Sequence, residues 1–432
     1  MAFYAVTSVL FAALGGFLFG YNTAVIAGAL LFIKRQFHLD PTMQGWTVGI
    51  VLLGALIASI LTGMIADRLG RKKTILLAAV LFVVGCFIAS IAVDNAVFVW
   101  GRFVTGLGVG ITSVVVPMYL SEISKAKFRG AIVTIYQLAI TIGILIAYVA
   151  NYALAGEQDW RSMIAWGGAP ALLQLVCFFL FLESPRWLIS KGKEAKAHEI
   201  ARKLDIREEL EEQPTEKKSR WSALFKTPGM RLAILIGILL SCFQQITGIN
   251  AVIYFAPQIF EFVGFSTNEV SILATMGVGT VNVVATLVAV WLLDRAGRRK
   301  LLLVGTLGMA IALCCIAIAF FGHSQVLDMV SLVAIMVYIA FFAIGLGPVT
   351  WVIISEIYPL GVRAKAMSLA TLANWLFNYI LVLTFLDVIT WIGVGATFIV
   401  FAVLCILAYL FVLKFIPETK GRKLSEIQKM FS

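Results

Sequence analysis

The chain predicts an all-α membrane protein: twelve transmembrane helices in two pseudo-symmetric six-helix bundles, with short helices in the central loop. Three observations carry that reading. Of its 432 residues, 61% are hydrophobic and 13% charged, against about 25% charged in soluble domains. Apolar runs of bilayer-spanning length, about 20 residues, recur twelve times. Charged motifs of the first half return in the second half in the same order.

The runs start near Tyr4, Gln44, Thr74, Ala96, Gly130 and Ser162, then near Arg231, Asn268, Lys300, Asp328, Ala364 and Gly393. The first begins almost at Met1 with no small-residue cleavage site behind a short apolar region, so it reads as a retained helix and not a signal peptide. If that span starts in the cytoplasm, all of the 34 lysines and arginines except Lys34, Arg35, Arg102 and Arg161 fall in loops or tails on the cytoplasmic side. This bias predicts a multi-pass cell-membrane protein with both termini cytoplasmic. It also makes the net charge of +11 topological, with no nucleic-acid partner implied. The six cysteines lie in apolar runs without metal-ligand spacing and the three histidines are scattered in loops, so no metal, cofactor or catalytic cluster is expected, and the chain does not read as an enzyme.

Asp67-Arg68-Leu69-Gly70-Arg71-Lys72 is answered by Asp294-Arg295-Ala296-Gly297-Arg298-Arg299, Ser121-Glu122-Ile123 with Arg129 by Ser355-Glu356-Ile357 with Arg363, and Glu183-Ser184 by Glu418-Thr419. Such a duplication implies two parallel six-helix bundles with a ligand site between them. The expected domains are a first bundle over 1–182, a cytoplasmic linker over 183–230 with short helices, a second bundle over 231–416 and a tail over 417–432. Acids recur among the bases of each repeat, which topology alone does not require. Asp67, Arg71, Glu122, Arg129, Glu183, Arg186, Asp294, Arg298, Glu356, Arg363 and Glu418 are therefore read as a cytoplasmic ion-pair network that forms and breaks as a gate. Asp67 and Asp294 are expected against a helix N-terminus or a neighbouring arginine. Topological anchoring is the plainer alternative.

Within the apolar run Leu232–Phe260, Gln244, Gln245 and Asn250 place three amides in hydrocarbon, where an unpartnered amide costs about 4–8 kcal/mol. Bonds between helices are one use for them; three together beside Gly248 favour a polyhydroxylated ligand. Gly345, Gly347 and Pro348 interrupt the tenth span, and a broken apolar segment points to a transporter's moving, binding half-helix. Trp351 and Trp375 offer flat faces for the apolar side of a sugar ring, although each taken singly also fits core packing. The stripe Gly101, Gly106, Gly108 and Gly110 serves close helix approach, and Arg102 inside it requires a partner.

Together, the Asp67–Lys72 block, Val116-Pro117-Met118-Tyr119-Leu120-Ser121-Glu122, Glu183-Ser184-Pro185-Arg186-Trp187-Leu188, Gln244-Gln245 through Asn250, Gly347-Pro348-Val349-Thr350-Trp351 and Pro417-Glu418-Thr419-Lys420-Gly421 resemble one family. It is the sugar porter family of the major facilitator superfamily, which holds the GLUT-type glucose transporters and bacterial proton–sugar symporters. The resemblance spans the whole chain and implies a monomeric carrier that moves a monosaccharide, a hexose such as glucose, across the bilayer by alternating access. It further implies sugar hydroxyls held by Gln137, Gln244, Gln245, Asn250, Asn282, Asn374 and Trp351. Trp375 would line the cavity, Tyr254 would form an outer lid, and Gly347 and Pro348 would lie in a gating helix.

Three positions depart from the family pattern. Leu182 stands where Pro is usual, Ala343 where GLUT-type members carry Glu, and Asn22 where symporters carry an Asp facing the arginine that corresponds to Arg102. An amide has no proton to exchange near neutral pH, so facilitative uniport is the expectation. The alternative is proton symport, through another acid such as Glu261 or Asp387 or in a symporter altered at position 22; a transporter-like sugar sensor is a distant third.

Overall fold

The computed structural model of the chain describes residues 2–125, 129–206, 227–264, 267–321, 325–358 and 360–420. Every regular element among them is helical, and 12 segments are long and apolar enough to span a membrane. Contacts divide the chain into two compact units, Met1–Leu39 with Thr47–Thr215, and Asp40–Trp46 with Glu216–Ser432.

The first unit holds α1 (Ala2–Gln36), most of α2 (Pro41–Leu69), α3 (Arg71–Ser90), α4 (Asn95–Glu122) and α5 (Arg129–Ala155). Its sixth span is interrupted at Gly167-Gly168, giving α6 (Trp160–Trp166) and α7 (Ala169–Val176), and the short α8 (Pro185–Ser190) and α9 (Glu194–Leu204) follow. Helix starts obey side-chain chemistry. Asp94 Oδ1 accepts from Val97 N at 2.9 Å and Asp159 Oδ1 from Ser162 N at 3.0 Å, each satisfying a donor that the first helical turn leaves unpaired. Hydrogen bonds from Ser162 hold the Asp159 carboxyl below the ordinary carboxylate range. A Cβ on Gly106 would strike the backbone of Val51, and one on Gly101 that of Ala89; the small-residue stripe thus lets α4 close on α2 and α3. Helix α9 turns Ala197, Ile200, Ala201 and Leu204 inward, and Lys125 Nζ meets Asp205 Oδ2 at 2.5 Å just beyond it, so the front of the expected linker packs as part of this unit.

The second unit holds α10 (Pro228–Ile246), α11 (Ile249–Val263), α12 (Asn268–Ala296), α13 (Arg298–Phe321), α14 (Gln325–Ile344), α15 (Leu346–Ile357), α16 (Leu360–Ile392) and α17 (Val394–Phe415). Two of its spans are discontinuous. The seventh, α10–α11, breaks at Thr247-Gly248, where Gly248 has φ +99°, and the tenth, α14–α15, breaks at Gly345. Packing partners repeat between the units: α1 lies on α5, and α3 on α4, α6 and α7, as α10 lies on α16, and α13 on α14 and α17.

The duplicated turn fixes one residue type on geometric grounds. Gly70 has φ +92° and ψ 166°, and Gly297 φ +91° and ψ 150°, a region essentially reserved for glycine. A Cβ at either position would also collide with a carboxylate, Glu183 at the first and Glu418 at the second. Gly70→Ala and Gly297→Ala are each expected to cost about 1–3 kcal/mol of stability, measured as a lower thermal-unfolding midpoint of the purified protein. Unchanged midpoints in both variants would contradict this account.

Candidate functional site

Four amides form a circuit beside the breaks in the seventh and tenth spans. Helix α10 carries Gln244 and Gln245 in its last turn because Thr247-Gly248 stops it there, Asn250 opens α11 across that break, and Asn374 faces them from α16. Asn250 Nδ2 donates to Gln245 Oε1 at 2.6 Å, Gln245 Nε2 to Asn374 Oδ1 at 3.0 Å, and Asn374 Nδ2 to Gln244 Oε1 at 2.6 Å. Gln244 Nε2 in turn donates to the carbonyls of Leu346 at 2.8 Å and Gly347 at 3.0 Å, in the first turn of α15. At the other break, Tyr338 OH donates to Thr247 O at 2.9 Å. Gln244, Gln245 and Asn374 are buried and Asn250 is half-buried. A cluster that presents both amide donors and amide acceptors in an apolar setting suits a ligand bearing several hydroxyls.

Of the other residues expected at a sugar site, Asn282 on α12, Tyr254 on α11 and Trp375 on α16 are buried, and Trp351 and Pro348 are half-buried on α15 beyond the break, as Gly347 is buried there. Asn282 takes no part in the amide circuit. Gln137 lies half-buried on α5 of the first unit. One residue went unnoticed in the sequence: Asn378, one turn beyond Asn374, is buried with an Oδ1 that meets no partner among the described residues. Its i,i+4 spacing from Asn374, which puts both on one helix face, is the signal that points to it. Among the described residues, no group of three His, Cys, Asp or Glu is placed to hold a metal.

In the first unit, Asn22 is 1% exposed and Arg102 is 2% exposed, so both sit in a dry environment where a cation must be paired. Arg102 Nη2 donates to the backbone carbonyl of Asn22 at 2.9 Å. The Asn22 side chain is otherwise engaged: its Nδ2 donates to Leu18 O at 3.0 Å, and its Oδ1 accepts from Cys86 Sγ at 3.2 Å. A neutral amide exerts no net charge on the guanidinium, and its own helix and α3 satisfy it. Of the two acids weighed as substitutes for a titrating residue 22, Asp387 accepts from Thr42 Oγ1 at 2.7 Å and Glu261 is half-buried near the end of α11.

Each unit repeats one polar arrangement at its duplicated motif. Arg71 binds Glu122 through Nε and Nη2 at 2.9–3.1 Å, and its Nη1 reaches Ala66 O at 3.1 Å and Asp67 Oδ1 at 3.4 Å. Glu183 Oε1 accepts from the backbone nitrogens of Arg71 at 2.9 Å and Lys72 at 3.1 Å, at the start of α3. Likewise Arg298 Nη2 meets Glu356 Oε1 at 3.4 Å and its Nη1 meets Leu293 O at 2.9 Å, while Glu418 accepts from the backbone nitrogens of Arg298 at 3.0 Å and Arg299 at 3.2 Å. The acid facing the helix N-terminus is thus Glu183 or Glu418, and Asp67 takes the other expected place, beside an arginine. Burial pushes the Glu183 carboxyl up, against the pull of backbone N–H groups from Ser184, Lys72 and Arg71. Arg363 Nε donates to Tyr358 O at 3.1 Å and Arg186 is half-buried in α8; the side chains of Arg129 and Asp294 lie outside the described residues.

Residues 8–431 match a family described as sugar (and other) transporter. The chain is 36% identical to the glucose transporter GlcP of Staphylococcus epidermidis, over 96% of this chain and 95% of that protein. It is also 36% identical to a D-xylose-proton symporter of Escherichia coli, over 99% of this chain and 96% of that one. In three dimensions it is similar to a partially occluded inward-open conformation of the xylose transporter XylE from E. coli, with a TM-score of 0.84 and 34% identity over 97% of this chain and 99% of that chain.

The forked Arg71–Glu122 contact uses two guanidinium nitrogens that a lysine cannot supply. Arg71→Lys is therefore expected to lose about 1–2 kcal/mol of stability, seen as a lower denaturation midpoint. Full retention of stability would show the contact to be energetically idle.

Proposed function

The chain belongs to the sugar porter family of the major facilitator superfamily, and we propose that this multi-pass membrane sugar transporter moves a hexose such as glucose, by alternating access, as a facilitative uniporter. It is a transporter and not an enzyme. The observation that carries the sugar reading is the amide circuit itself: Gln245 and Asn250 retain hydrogen-bonding capacity beside the two broken spans, where sugar hydroxyls would replace the water they shed. Gln137, Asn282, Asn374, Asn378 and the rings of Trp351 and Trp375 would complete the contacts, with Tyr254 as a lid. The name of the glucose-transporting relative supports a hexose; those of the xylose-transporting relatives make a pentose the competing substrate. The loop charge bias supports a cell-membrane location with cytoplasmic termini.

Uniport rests on Asn22. Symport needs a group that gains and loses a proton as the carrier turns over, and the amide beside Arg102 is neutral and already bonded to Leu18 and Cys86. The competing reading is proton symport, which the relative's name supports and which would place coupling on another acid.

Gln245→Ala and Asn250→Ala should each weaken sugar binding about two- to twelvefold, the equivalent of one hydrogen bond of about 0.5–1.5 kcal/mol, measured by titration of the purified protein with a panel of hexoses and pentoses. Equal affinity of both variants and the parent for every sugar would place the site elsewhere. In proteoliposomes, glucose counterflow should run without a pH gradient, and an inward proton gradient should not drive accumulation. Uphill uptake by the unaltered protein would overturn the uniport reading; Asn22→Asp is expected to introduce it.

A further inference from the structure

The interruption of the sixth span has a chemical cause. In a continuous helix the carbonyl of Trp166 would take its donor from residue 170, and Pro170 has no N–H. Around that point the bonds slip by one residue: Gly167 N donates to Ile164 O at 3.1 Å and Gly168 N to Ala165 O at 2.9 Å, each three residues back, while both glycines keep right-handed helical dihedrals. Met163 O thereby loses the donor that Gly167 N would have supplied, and Tyr21 OH, reaching across from α1, donates to it at 2.9 Å. The twelfth span corresponds to the sixth, since each leads into a Glu183-Ser184 or Glu418-Thr419 motif, and it runs unbroken as α17. The duplicated architecture therefore does not demand the interruption.

The same break lies against position 22. A Cβ on Gly167 would stand 3.2 Å from Asn22 Oδ1 and 3.2 Å from the Tyr21 ring, and Asn22 O holds Arg102 Nη2. Tyr21, Asn22 and Met163 are all buried, so a bond lost here has no water to replace it. We propose that Tyr21 is a positioning residue: its hydroxyl sets the bend of the sixth span at Gly167-Gly168 and ties that bend to the main-chain seat of Arg102. Tyr21 and Asn22 are consecutive on α1, so a change of bend shifts the arginine's anchor with no titrating group between them. The bearing on transport rests on the sugar-transport reading; the tie itself can be tested without sugar.

Tyr21→Phe keeps the ring and removes the donor. In the purified full-length protein without sugar, hydrogen–deuterium exchange over residues 160–176 is expected to run about two- to twelvefold faster than in the parent, with exchange over Val394–Phe415 unchanged. Pro170→Ala returns a donor to Trp166 O and should slow exchange over the same segment. In proteoliposomes, Tyr21→Phe should lower counterflow turnover per folded carrier severalfold at saturating glucose, with the half-saturating concentration within about twofold; a hydroxyl that only stabilised the fold would leave that turnover alone. Unchanged exchange over residues 160–176 in folded Tyr21→Phe overturns the proposal, and so does a turnover equal to the parent's. Should Tyr21→Phe not fold, Pro170→Ala decides: exchange that is not slowed overturns the proposal. If the parent transports no sugar of the panel, the transport reading falls and the exchange measurements alone decide the tie.

Discussion

A polar group inside a bilayer has no water to turn to, so each break in a spanning helix must be met by a partner from within the protein. The second unit breaks two spans, at Thr247-Gly248 and at Gly345, and a side chain of each broken span bonds to the backbone of the other beside its break. Tyr338 of the tenth donates to the Thr247 carbonyl, and Gln244 of the seventh donates to those of Leu346 and Gly347. The two discontinuities are thus tied to each other, and the same bonds hold Gln244 and Tyr338 in fixed directions.

A second use of backbone chemistry recurs at the motif-bearing ends. Glu183 and Glu418 arrive from the far end of their own units to receive the first free N–H groups of α3 and α13. Helix N-termini attract anions because their amides are unpaired and aligned. The preceding Gly70 or Gly297 leaves room for the carboxylate, and Arg71 or Arg298 then spans from that turn to the acid that closes the fourth or tenth span. Charge, turn and cap are a single construction, and its two occurrences trace the duplication more closely than the apolar residues do.

The number and extent of the spans were legible because length and hydropathy are local quantities. The break at Gly345 was legible too, since Pro348 cannot donate to the preceding turn. The break at Thr247-Gly248 was not, because a glycine in an apolar run serves close packing equally well. Gln244, Gln245 and Asn250 drew notice through their cost in hydrocarbon, yet nothing in their spacing says that Gln244 donates to the carbonyls of Leu346 and Gly347 while Gln245 donates to Asn374; those partners lie over a hundred residues away. Asn378 passed unnoticed although Asn374, one turn before it, shares its helix face. Cys86 was one of six cysteines in apolar runs, and only the packing of α3 on α1 makes its thiol the partner of Asn22.

The seat of Arg102 has a corollary for substitution at position 22. Its guanidinium is anchored to the main chain at position 22, and a main-chain carbonyl is supplied by every amino acid. A side-chain exchange at this position therefore changes the charge facing the arginine while leaving its main-chain seat in place.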